Sequence, residues 1–320
     1  MATLPPQSQK WPADRALLLV HGVGNARPGD YNPLVAQITN ILAKQPKQYA
    51  IYVFYYDQVN NWFEDKGNAP LAVASLVSAI RSKLDATSLG NVVADFAGDV
   101  IWPILLLDAR DAVRTAFLRQ LQQIVLDGKQ AGIRQPAQHL SIIAHSLGCF
   151  HTFEALHAAA NSTSQGLAPA TDGVQFDNVI FMASPVQVIR TVAGMIRPLV
   201  PRASDLVCVS APQLQMPGED DGTGTSVPSA KQTISVTGNL DPVGGYFFRK
   251  QLDWGYMNLP GQKSFIDSEE WVDMNEADLA GILQQSLQDH APPSITPENP
   301  HDWSAYVARH ANDLQHWLGV

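Results

Sequence analysis

A chain of 320 residues, 45% hydrophobic and 16% charged, can bury a sizeable core, either as one large α/β domain or as two average ones. Its formal charge of −9 argues against nucleic acid, whose binding needs a basic surface to displace condensed counterions, and gives no electrostatic help toward anionic lipid. The longest apolar stretch, Val100–Leu107, falls well short of the roughly 20 residues of a membrane-crossing helix, and Met1–Pro12 lacks a basic-then-apolar leader pattern. No stable membrane insertion and a cytoplasmic location are therefore expected.

Residues 1–14, with Pro5, Pro6, Gln7 and Gln9, read as a disordered tail. Arg15–Val20 is a nearly unbroken apolar run ending in His21-Gly22-Val23-Gly24, the pattern of a strand buried on both faces of a parallel sheet. Leu34–Lys44 places Leu34, Val35, Ile38, Ile41 and Leu42 at helical spacing, and Tyr49–Tyr56 is aromatic and β-branched, a second strand. Together they make a βαβ unit. The stretch 57–107 departs from that rhythm and is expected to form a helical cap. Its Trp62, Phe63 and Trp102 either line an apolar pocket or pack in an ordinary core.

Asp108–Gln130 is an amphipathic helix with Val113, Phe117, Leu121 and Ile124 on one side. A strand, Leu140–Ala144, runs through a short turn into a helix from Leu147 to about Ala160. Phe176–Ala183 and Thr233–Thr237 are further strands, and 213–230, rich in Pro, Gly, Asp, Ser and Thr, is expected to be a mobile loop. Helices are predicted over Glu276–Gln288 and Trp303–Leu318, joined by a proline-rich link. The alternation predicts one α/β domain over 15–320, a mostly parallel central sheet flanked by helices. Cys149 and Cys208 read as buried free thiols.

Ile142-Ile143-Ala144-His145-Ser146-Leu147-Gly148 joins a buried strand to a helix through a tight turn. Such a turn lifts a serine hydroxyl above the sheet, and backbone crowding demands small residues two before and two after it, here Ala144 and Gly148. The helix dipole then favours negative charge developing beside Ser146. The ordinary alternative is a helix-capping serine. Acyl transfer also needs two backbone N–H groups for an oxyanion: Leu147, just after the serine, and Val23, in the loop where Gly22 allows close approach.

A serine hydroxyl needs a histidine to take its proton and a carboxylate to steady the imidazolium, and in this architecture they follow in the order acid, then histidine. Asp241, in Asp241-Pro242-Val243-Gly244-Gly245 just past a strand, has a better context than Asp205, Asp253 or Asp267. His301, in a loop before a helix, is the strongest candidate base, with His290 behind it; His310 and His316 fall within a helix. Gly22, His145, Trp62, Phe63 and Trp102 are candidate substrate contacts.

With these motifs in place, the chain resembles the serine-hydrolase branch of the α/β-hydrolase superfamily, and is most similar to lipase-like groups that include GPI inositol-deacylase-like proteins and DDHD-type phospholipases. The resemblance rests on Val20-His21-Gly22-Val23-Gly24, Asp99-Val100, Ala144–Gly148, Met182-Ala183-Ser184-Pro185, Asp241-Pro242-Val243, and His301 with Tyr306. Ala144 and Ala183 stand where glycine is usual, and the metal-binding cluster of the DDHD kind is missing. The resemblance implies the α/β-hydrolase fold, a Ser146–His301–Asp241 triad and hydrolysis of a small-molecule ester or lipid without cofactor or metal. Thioesterase, amidase and acyltransferase chemistry use the same machinery, and a non-catalytic scaffold binding a lipid or a protein is the contrasting possibility.

Overall fold

The computed structural model describes residues 5–12, 14–22, 27–43, 48–56, 107–161, 176–186, 189, 230–237, 262–266 and 302–318. The predicted cap at 57–107 therefore lies almost wholly outside the described residues. So do nearly all of the predicted mobile loop at 213–230 and the predicted helix Glu276–Gln288.

Six strands form one sheet: β1 (Arg15–Val20), β2 (Tyr49–Phe54), β3 (Leu140–His145), β4 (Phe176–Met182), β5 (Ala230–Thr237) and β6 (Gln262–Ile266). Their order is β2-β1-β3-β4-β5-β6, and every neighbouring pair is parallel. The chain leaves β1 toward one side to build β2, then returns to place β3 on the other side. That reversal makes a topological switch point at the C-terminal ends of β1 and β3, the position at which open parallel sheets bind ligands.

Helices cover both faces. On one, α2 (Leu107–Gln130) and α3 (Leu147–Asn161) pack Phe117, Leu121, Phe150 and Phe153 against Leu18, Val20, Ile142 and Ala144. On the other, α1 (Asn32–Leu42), α4 (Trp303–Arg309) and α5 (Ala311–Trp317) pack Leu34, Ile38, Val307 and Leu314 against Leu17, Leu19 and Ile143. Successive side chains of a strand point to opposite faces, so a strand covered on both sides must be apolar throughout. Leu17, Leu18 and Leu19 are accordingly all fully buried, and burial of each stabilises by about 1.5–3 kcal/mol. This is the α/β fold expected: a parallel central sheet flanked by helices, with a serine-bearing turn after an inner strand.

Three local expectations are corrected. Part of the segment read as a disordered tail is tied down: Gln7 Oε1 accepts from Val53 N–H at 3.1 Å and Gln9 Nε2 donates to Ile51 O at 2.6 Å, covering the outer edge of β2. Ser8 and the Gln9 N–H bond the Asp127 carboxylate at 2.8 and 2.9 Å, and Trp11 is buried in the core. Polar amides here satisfy an open strand edge. The last predicted helix is broken at His310 into α4 and α5, whose Nδ1 meets Asp313 at 3.0 Å. Strand β6 was not anticipated, because Gln262-Lys263-Ser264 is too polar to read as a buried run.

Candidate active site

Ser146 sits between β3 and α3 with a φ of 52°, in the left-handed region that costs a side-chain-bearing residue roughly 1–2 kcal/mol. Among the described residues one other non-glycine shares this conformation, Ala183 at 53°, at the end of the adjacent strand. The surroundings hold both in place. Ser146 N–H donates to Met182 O at 3.0 Å, Ala183 N–H donates to Val236 O at 2.9 Å, and Cys149 N–H closes the first turn of α3 onto Ser146 O at 2.9 Å. Backbone strain that neighbouring structure over-determines is typical of functional sites.

Two glycines let this turn close. A methyl built on Gly22 would lie 2.7 Å from Ser146 Cβ and 3.2 Å from its Oγ, so the loop after β1 passes directly against the serine side chain. A methyl on Gly148 would lie 2.3 Å from His21 O and 2.5 Å from Val20 O. The first turn of α3 therefore rests on the backbone of β1. Leu147, the first residue of α3, is buried beside Ser146, and first-turn N–H groups have no acceptor within the helix. Its N–H belongs to the end of the helix that favours negative charge.

The His21 ring is enclosed. It stacks on Tyr56 with centroids 4.4 Å apart and on Tyr31 at 5.2 Å, and its Nδ1 lies 2.7 Å from Gly22 O. Burial depresses its pKa to about 4, only partly opposed by that carbonyl. Behind Tyr56, His151 is also buried, with centroids 4.4 Å from Tyr56, and burial together with the neighbouring His21 lowers its pKa to about 3. Neither imidazole is protonated at neutral pH, so neither is a charged group of the site.

Those two histidines dictate an acid sensitivity. Above pH 6.5 both are neutral folded and unfolded; as the pH falls, the unfolded chain takes up protons that the folded chain refuses until about 4 and about 3. Stability is thus retained above 6.5 and lost progressively below it, by roughly 1.4 kcal/mol per pH unit for each imidazole. At pH 4.5 the combined loss is on the order of 5 kcal/mol, comparable with the whole stability of a marginal domain. Urea unfolding at pH 7 and 4.5 is expected to show this loss, and His151→Phe is expected to remove about half of it. An unchanged pH dependence in His151→Phe would refute the assignment.

His145 is buried, and its ring lies flat on Trp303, with centroids 5.4 Å apart and planes 9° apart, while Tyr306 meets its edge-on side at 6.0 Å. Trp303 also meets Tyr31 edge-on at 5.6 Å. Asp302 caps α4, accepting from Ser304 N–H at 3.2 Å and from the Ser304 hydroxyl. The start of α4 is therefore fastened to the residue immediately before Ser146. His310, by contrast, pairs with Asp313 and stacks on Trp317, and His316 is exposed.

Of the residues predicted from sequence, Ser146, Leu147, Gly22 and His145 come together here. Asp241, His301, Val23, Trp62, Phe63 and Trp102 lie outside the described residues. The chain leading to two of them is described: β5 ends at Thr237, four residues before Asp241, and Trp303 lies two residues beyond His301. Sequence reading missed Tyr31, Tyr56, His151 and Trp303. A tyrosine closing a strand and a tryptophan opening a helix carry no local mark of what they will touch. Cys149 is buried, its Sγ 3.3 Å from the carbonyls of Ala144 and Met182. Among the described residues no helix is long and apolar enough to cross a membrane, and no three His, Cys, Asp or Glu side chains converge as metal ligands would.

No family model matches this chain, and no curated protein does. Among solved structures it is similar to one titled as the crystal structure of esterase PE8, with a TM-score of 0.36 and 11% identity over 89% of this chain and 96% of that one. A likeness that remote carries neither residues nor activity across.

Proposed function

We propose that this chain is a serine hydrolase of the lipase and esterase kind, cleaving carboxylic esters through Ser146, His301 and Asp241. The observation that carries the reading is the strained Ser146 itself, held at a φ of 52° over the switch point of the sheet with Gly22 against its side chain. A serine whose only task is to cap a helix has no need of that conformation.

The neighbouring chain supports the partners. The stack of Trp303 on His145 fixes the start of α4 at the elbow, two residues after His301 in the chain. Strand β5 ends at Thr237, four residues before Asp241, at the same edge of the sheet and two strand spacings, about 10 Å, from β3. In the reaction His301 takes the Ser146 proton as Oγ attacks the ester carbonyl, and the N–H groups of Val23 and Leu147 receive the oxyanion. The tetrahedral intermediate collapses, His301 protonates the departing alcohol, and water activated by the same imidazole releases the acid. The 57–107 cap supplies the acyl pocket with Trp62, Phe63 and Trp102, and selects short to medium chains. Gly22 borders the scissile bond, whereas the buried His145 braces the floor.

A fluorophosphonate probe tests the reading. It is expected to form one adduct, on the Ser146 peptide, and none on Ser146→Ala. A wild-type chain that stays unlabelled, or is labelled elsewhere, would mark it as a non-catalytic scaffold or a different enzyme.

A further inference from the structure

We propose that Tyr56 and His21 are a positioning pair that aims the oxyanion loop, by gripping the carbonyl oxygen of Gly22 from the side away from the substrate. The inference rests on the hydrolase reading above and adds to it two residues with no role in the triad.

The Tyr56 hydroxyl donates to Gly22 O at 2.6 Å, and His21 Nδ1 lies 2.7 Å from the same oxygen. A carbonyl only accepts, so His21 must carry its proton on Nδ1, and both lone pairs of Gly22 O are then engaged. The donors in turn are locked. Their rings are parallel within 7° at 4.4 Å, Tyr31 lies on the His21 ring, and His151 packs against Tyr56 from α3. Both His21 and Tyr56 are fully buried.

A peptide unit is planar and trans, so the carbonyl of one residue and the N–H of the next belong to one rigid plate and point in opposite directions. The plate held by Gly22 O carries the N–H of Val23, the proposed oxyanion donor. Val23 lies outside the described residues; the constraint acts through the carbonyl half of the plate. Glycine leaves such a plate unusually free to rotate, because no Cβ restricts it. Turning it would break two buried hydrogen bonds, each costly to leave unmade. The same two bonds draw charge toward the carbonyl and make the opposite N–H a stronger donor. Gly22 thus admits the close approach to Ser146, and Tyr56 with His21 supplies the rigidity that glycine lacks.

The test compares Tyr56→Phe, which removes one oxygen and keeps the stacked ring, with His21→Asn and His21→Leu. Asparagine places an N–H near the position of Nδ1, and leucine does not. On p-nitrophenyl butyrate, Tyr56→Phe is expected to lower kcat by about 10- to 100-fold with KM within about two-fold, since an ill-aimed donor forfeits part of the 10²–10³ that one donor supplies. Affinity for an alkylboronic acid, which forms a tetrahedral adduct on serine, should fall in parallel. His21→Asn is expected to keep at least about ten-fold more kcat than His21→Leu. Equal activity in both His21 variants, or unchanged kcat and boronate affinity in Tyr56→Phe, would overturn the pair while leaving the hydrolase reading intact. If Tyr56→Phe does not fold, the two His21 variants decide alone. A wild-type enzyme that neither labels at Ser146 nor turns over ester would bring down both readings.

Discussion

Ser146→Ala is expected to lower kcat for a p-nitrophenyl ester by about 10⁴- to 10⁶-fold with little change in KM, because the residue acts on the reacting carbonyl and contributes little to ground-state binding. His301→Ala should do nearly the same, and the double variant should be no worse than either single one, since members of a catalytic unit fail together. Asp241→Asn should cost about 10³- to 10⁴-fold, as the imidazole loses its orienting partner. Asp267→Asn is the control. Asp267 directly follows Ile266, the last residue of β6, a strand one position further from β3 than β5 is. Asp267→Asn is expected to stay within a few-fold of the parent. If Asp267→Asn shows the large loss and Asp241→Asn does not, the acid has been placed on the wrong strand.

The second large effect is on folding. Gly148→Ala is expected to destabilise the protein by at least about 3 kcal/mol, the upper end of what overpacking costs, because the added methyl would press on the backbone oxygens of His21 and Val20 at 2.3 and 2.5 Å. Flexible side chains can yield to such a clash; these atoms cannot. Val20 ends β1, which is paired on both sides, with β2 and with β3. Moving it means breaking the middle of the sheet or lifting α3 from it. Gly132→Ala provides the comparison: a φ of 84° strains any side chain there, but nothing lies within 4 Å of the new methyl. That variant should lose only about 1–2 kcal/mol. Urea unfolding curves for the two would separate steric exclusion from backbone strain, and equal losses would refute the close-packed elbow.

The pattern of small residues around Ser146 was legible because the demand for it is local. Ala144, Ser146 and Gly148 lie within five residues, and the strand before them and the helix after them announce themselves by composition and periodicity. For the same reason β1, α1, α2, β3 and α3 are found within two residues of where their apolar spacing put them. The α/β class follows from their alternation.

What lay beyond that reading is contact between distant segments. Strand order decides that β1 and β3 are neighbours, and no run of residues states it. Strand pairing sets Gly22 against Ser146 and Tyr56 behind Gly22, and packing of α4 on the sheet sets Trp303 on His145 across more than 150 residues of chain. Strand β6 pairs with β5 although Gln262-Lys263-Ser264 carries no apolar run to announce a strand, and the Gln7 and Gln9 amides read as solvated until a strand edge offers them partners. The sequence by itself determined the secondary elements, the class of fold and the residue types for an acyl-transfer site, since those depend on periodicity, turn sterics and side-chain chemistry. Only the tertiary structure decided which carbonyl is gripped, which ring braces the elbow and which edge is covered, because each of those depends on what the fold brings within a few ångströms.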